Sequence, residues 1–221
     1  MIDFDPTEIG APIILPSEHG DLHGSLILQP DSPGLVVLAH AALALDGRDA
    51  LMAGCLRQAG FSTLSADLLT HKEEQFPDTH NNVPLLARRL LGFLEQIRHR
   101  MRMGEIPNLS LALCAANDTT PVVVRIAAQR DHDIAAIVCR GGLIDRAGML
   151  YLRTLASPLL LLHEHSDEHH MSSNRRALQE IPCATELQAI PDFGFEYATS
   201  VGFEIAARET IRWFTAALRK H

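Results

Sequence analysis

No apolar stretch in this chain of 221 residues is long enough to cross a bilayer as a helix. Runs such as GLVVLA from Gly34 and PLLLLH from Pro158 fall far short of the roughly 20 residues a span needs. A surplus of positive charge is also missing. With 19 basic against 27 acidic residues and a formal net charge of -8, the chain is a poor match for a phosphate backbone, and no nucleic-acid partner is expected. The local basic run RRLLGFLEQIRHRMR, Arg88 to Arg102, alternates with apolar positions and reads as a solvated helix face. The four cysteines, Cys55, Cys114, Cys139 and Cys183, form no CxxC pair, so buried free thiols are expected rather than a disulfide framework or a zinc site. The opening MIDFDPTEIG lacks the basic and apolar regions of a secretory leader. The expectation is a cytoplasmic protein with no membrane partner.

Repeats, low-complexity tracts and long linkers are absent too, so residues 1–221 are read as one domain. Strand-like and helix-like apolar blocks alternate along the chain. APIILP and LHGSLILQP suggest an opening antiparallel pair, and GLVVLAH a fully buried strand. Residues 46–59 have helical periodicity closed by Gly60. FSTLSADLL is a strand, HKEEQFPDTHNN a polar loop, and Val83 to Met103 a long amphipathic helix. LSLALCA, IAAIVCRGG, PLLLLHEH and TELQAI are further strands. Helices are predicted over 119–129, 145–155, 174–180 and from Ala198 to Lys220. Such alternation implies βαβ units, with a mostly parallel, twisted sheet of about eight strands covered by helices on both faces. No segment is long enough for a large lid. Neither GxGxxG nor GxxxxGK[ST] occurs, and no cofactor is expected.

In parallel sheets of this kind chemistry gathers at the carboxyl ends of the strands. Three such ends stand out: His40-Ala41-Ala42, Asn117 and Asp167. A serine hydrolase would place an oxyanion hole, a nucleophile and an acid there in that order, then a histidine after the last strand. Between His170 and His221 there is no histidine, and the segment after TELQAI reads PDFGFEY. Phe cannot take a proton, and an Asn amide is not a useful nucleophile at neutral pH.

GLVVLAH, LRQAGFSTLSADLLTHKEE, IAAIVCRGGLIDRAGMLYL, ASPLLLLHEHSDEHHMSSNRRAL and ARETIRWFTAAL together resemble the dienelactone-hydrolase-like branch of the α/β-hydrolase superfamily. They are especially similar to hydrolase-like domains sometimes fused to phosphoribosyltransferases. The resemblance runs from about Gly34 onward and implies an α/β-hydrolase fold. Carried over position by position, it puts the small-x-Ser-x-Gly elbow on Ala115-Ala116-Asn117-Asp118-Thr119. Asn117 then holds the nucleophile position, Asp167 retains the acid, and Phe195 falls on the histidine. His40-Ala41 takes the place of the His-Gly oxyanion segment. The implied state is a pseudoenzyme with a degenerate triad, which turns over no small activated ester and binds a small ligand or a partner. Its pocket would be lined by Ala41, Ala42, Asn117, Asp118, Arg140, Asp167 and Phe195. A small carboxylate or ester-like molecule is the expected ligand, aided by backbone N–H groups after Asn117. A homo-oligomer stays open.

An active hydrolase is the alternative. Asp118, shifted by one residue into the elbow, would be a carboxylate nucleophile; against that stands a helix-capping role. A histidine such as His40 or His165 would have to reach Asn117 or Asp118. Cys114 sits within an apolar strand and reads as a core thiol. HEHSDEHH, His163 to His170, offers a metal alternative in which His163, His165 and Asp167 are the ligands. That spacing matches no metal-site signature, and a polar loop after a buried strand competes with it.

Overall fold

The computed structural model describes residues 10–41, 48–129, 133–193 and 200–218. Among the described residues eight strands form one sheet: β1 (Ala11–Ser17), β2 (Gly20–Ile27), β3 (Leu35–His40), β4 (Ser62–Asp67), β5 (Leu111–Ala116), β6 (Ile134–Arg140), β7 (Leu159–Glu164) and β8 (Thr185–Ile190). Their spatial order is β1-β2-β4-β3-β5-β6-β7-β8. β1 pairs antiparallel with β2 and β2 antiparallel with β4; the remaining neighbours run parallel. The helices are α1 (Arg48–Gln58), α2 (Pro77–His80), α3 (Val83–Arg102), α4 (Thr120–Gln129), α5 (Met149–Thr154), α6 (Glu168–Leu178) and α7 (Val201–Leu218).

The unbroken apolar runs of the central strands follow from burial on both faces. Leu35, Val37 and Ala39 of β3 point into one core with residues of α3 and α4. Val36 and Leu38 point into the other, with Met52 and Leu56 of α1 and Phe203 and Phe214 of α7. The expected mostly parallel sheet, with its antiparallel opening and helices on both sides, is what forms. No helix among the described residues is long and apolar enough to cross a membrane.

Four local expectations are corrected. The loop before α3 holds a 3-10 turn over Glu73–Gln75 and the short α2. Its Glu73 carboxylate takes two hydrogen bonds from Arg89, at 2.6 and 2.8 Å. Arg89, inside the basic run read as solvated, is therefore buried, because an inward Arg is tolerated when a carboxylate meets it. The helix expected over 145–155 is split into a 3-10 turn, Ile144–Ala147, and α5, with Gly148 at φ +103° between them. The helix expected from Asn174 begins six residues earlier, at Glu168. That last shift moves His169 and His170 from a loop onto a helix.

Candidate active site

β5 ends in a sharp turn. Asn117 sits at its apex with φ +49°, the left-handed region that side-chain-bearing residues rarely occupy. The turn is tied on both sides. The Thr119 hydroxyl accepts from the Ala116 N–H (3.3 Å) and has the Ala39 and Ala116 carbonyls as its acceptors, each at 2.9 Å. The Thr120 hydroxyl donates to the Gly141 carbonyl at the end of β6 (2.9 Å). Gly141 and Gly142, both at positive φ, leave the room the apex occupies. A Cβ on Gly141 would lie 2.5 Å from Asn117 Oδ1, and one on Gly142 would strike the Asn117 carbonyl. Strand-to-helix geometry of this kind exposes the apex residue above the sheet, and Asn117 is exposed. Asp118, beyond the apex, is half-exposed and lies 3.8 Å from the Arg146 guanidinium. The alternative that puts Asp118 at the elbow is thus out of register by one residue.

The apex opens into a cavity of about 600 Å³ at the carboxyl ends of the strands. Of the residues expected there, Ala41, Asn117, Asp118, Arg140 and Asp167 line it. Ala42 and Phe195 lie outside the described residues. The expected helix-start donors after Asn117 belong to the same turn, since a 3-10 turn over Asn117–Thr119 runs into α4.

One wall carries a charge cluster that the sequence reading missed. The Arg140 guanidinium donates to Asp49 of α1, and the His40 Nδ1–H donates to the same carboxylate at 2.8 Å. Burial pushes the Asp49 carboxyl up, but the Arg140 charge and the His40 hydrogen bond outweigh it and hold the group far below its ordinary value. Arg140, expected among the ligand-binding residues, is paired with Asp49, and its side chain is 4% exposed. His40 is likewise committed to Asp49, so it is not the stray base considered above.

The opposite wall is built by β7 and α6. His163 is buried. Its Nδ1–H faces Asp167 Oδ2 at 3.2 Å, and its Nε2 accepts from the Asn174 amide at 2.7 Å. Asn174 also donates to the Gly142 carbonyl (2.9 Å) and accepts from the Ile144 N–H (3.1 Å). Burial pushes the His163 pKa down against the pull of Asp167, in keeping with a neutral ring. The other Asp167 oxygen lies 2.7 Å from His170 Nδ1. Burial would raise the Asp167 carboxyl; hydrogen bonds from His170 and His163 more than offset this and hold it below its ordinary value. His170 lines the cavity.

The metal alternative fails on donor geometry. Both His163 nitrogens are engaged, His165 is exposed and off the cavity, and no group of three or more His, Cys, Asp or Glu among the described residues could hold a metal ion. Burial pushes the Cys114 thiol up to about 11, so it stays protonated at neutral pH, as a core thiol should. The signal for His170 was present in the sequence as Asp-x-x-His at helical spacing. It was obscured because the helix was expected to start only at Asn174.

No family model matches the chain. A dienelactone hydrolase from Anabaena variabilis has a similar structure, with a TM-score of 0.84 and 26% identity over 95% of this chain and 98% of that one. Est1E from Butyrivibrio proteoclasticus covers 96% of this chain and all of its own at a TM-score of 0.75, but at 12% identity the likeness is one of fold alone. A protein of Mycobacterium tuberculosis named as a putative phosphoribosyl transferase is 29% identical over 188 residues. That match spans 84% of this chain and 42% of the curated relative.

Proposed function

We propose that this chain, whose fold is that of a dienelactone-hydrolase-like α/β-hydrolase, has lost serine-hydrolase chemistry and holds a small carboxylate or ester-like ligand non-covalently. The observation that carries this reading is Asn117. It occupies the strained apex of the strand-to-helix turn after β5, at φ +49°, where covalent catalysis needs a nucleophile that can be activated. An amide can donate and accept hydrogen bonds there but cannot form an acyl intermediate. The cavity around it, about 600 Å³ and open at the strand ends, is of a size that suits a small molecule. Arg146 at the rim and the committed Arg140–Asp49 pair supply polar anchors rather than reacting groups.

The test has two parts. A fluorophosphonate probe and 4-nitrophenyl acetate should give no covalent adduct and no burst with the full chain. Isothermal titration with benzoate should give saturable binding that Arg146→Ala weakens. A stoichiometric burst abolished by Asn117→Ala would overturn the loss of covalent chemistry. Absence of saturable binding would overturn the ligand reading.

A further inference from the structure

We infer that His170 is a general base that drives direct attack of water on an ester or lactone held in this cavity. The inference rests on the non-covalent cavity proposed above and adds a reaction to it. Four observations carry it. First, Asp167 Oδ1 sits 2.7 Å from His170 Nδ1. A carboxylate on Nδ1 fixes the tautomer and leaves Nε2 as the acceptor, the arrangement a catalytic histidine requires. Second, His170 lines the same cavity as Asn117 and is 41% exposed, so water has access to the ring. Third, the neighbouring His163 is no rival, because its Nε2 is occupied by Asn174 and its side chain is fully buried. Fourth, the buried part of the network has a consequence at the cavity. Asn174 holds His163, His163 holds Asp167, and Asp167 aims His170. Burying an imidazole and an amide in a core is costly unless every group is paired. Here the pairing ends on the exposed ring, and α6 gives that ring a rigid support.

The step balances without any further reactant. His170 Nε2 takes one proton from a water as its oxygen attacks the acyl carbon, and the carbonyl π pair moves onto the carbonyl oxygen. The Asn117 amide, exposed at the apex, donates to that oxygen as charge develops. On collapse the acyl–oxygen bond breaks and the leaving oxygen takes the proton back from Nε2. One water is consumed; an acid and an alcohol form, or a single hydroxy acid from a lactone. His170 would be the catalytic residue, with Asp167 and His163 as positioning residues. The titratable groups facing His170 are Asp167 and the neutral His163 from the β7 side and His169 on its own helix, whose ring centre lies 5.8 Å from that of His170. Arg146, Asp118 and Glu164 also line the cavity.

The experiment uses dihydrocoumarin, a small aromatic lactone, with the full chain. The expected result is steady turnover above buffer with no burst. His170→Gln should lower kcat at least about 100-fold, the scale of a lost general base, with KM unchanged. His170→Ala should regain rate when imidazole is added to the solution. Asp167→Asn should lower kcat with KM unchanged, and Asp167→Glu should recover part of it, a split that a merely structural role would not produce. Saturable binding of the lactone's hydrolysis product without turnover of the lactone would overturn this inference and leave the ligand reading standing. Turnover that survives His170→Gln would also overturn it. Absence of any binding would overturn both.

Discussion

Replacing Gly142 by Ala isolates what holds the elbow in shape. Gly142 has φ +76°, and a Cβ there would strike the Asn117 carbonyl oxygen and lie 2.9 Å from the Asn117 carbonyl carbon and Thr120 Cβ. Two costs add. The left-handed conformation costs an alanine roughly 1–2 kcal/mol, and overpacking against backbone that cannot swing aside adds about 1–3 kcal/mol. Gly60 is the matched control. It closes α1 at φ +90° with nothing within 4 Å of a built Cβ, so Gly60→Ala should cost only the conformational part, about 1 kcal/mol. Urea unfolding followed through the fluorescence of the single tryptophan, Trp213, measures both variants on one scale. Gly142→Ala should lose at least about 1 kcal/mol more than Gly60→Ala. It should also lose any ligand bound in the cavity, because relief of the clash displaces Asn117. Equal losses in the two variants would refute the claim that the Gly141-Gly142 ridge and the apex are packed against each other.

Three further outcomes follow from the polar interior. Arg140→Met leaves the Asp49 carboxylate without its main counter-charge and should cost about 3 kcal/mol near neutral pH. Adding Asp49→Asn should recover more than half of that loss in a double-variant cycle. The Arg140→Met penalty should shrink on acidification, since protonating Asp49 removes the charge that Arg140 offsets. Glu73 offers a separate acid signature: hydrogen bonds from Arg89 first, offset in part by burial and reinforced by Thr70, lower its pKa from 4.5 to about 2. Because the folded value is the lower one, this stability, roughly 3 kcal/mol, is complete above the unfolded pKa and is lost as pH falls between about 5 and 2. Urea midpoints against pH should flatten over that window in Glu73→Gln. Asn174→Ala strips partners from the Ile144 N–H, the Gly142 carbonyl and His163 Nε2, and should cost about 3 kcal/mol in urea unfolding. It should also free the His163 tautomer, read by nitrogen chemical shifts of the ring.

The sheet was legible because each strand is an apolar run bounded by turn residues, and burial on both faces demands such runs. Asn117 was legible as the apex of a strand-to-helix turn because the turn sits between a strand and a helix that periodicity reveals. Other features depended on distance in the fold. Arg140 and Asp49 lie 91 residues apart in sequence, and nothing local marks either as the other's partner. Arg89 looked solvated within a basic run until Glu73 met it from a different segment. The start of α6 was misplaced because Glu168, His169 and His170 carry no apolar periodicity; packing of Met171 and Ala177, with Asp167 at the helix N-terminus, decides it.

By itself, then, the amino-acid sequence determined the order and type of the elements and the absence of a serine at the turn, since both are properties of local pattern and residue identity. The tertiary structure alone decided which charges are spent on one another and which ring faces the cavity. Those are set by desolvation and pairing between segments that only the folded sheet brings within hydrogen-bond reach.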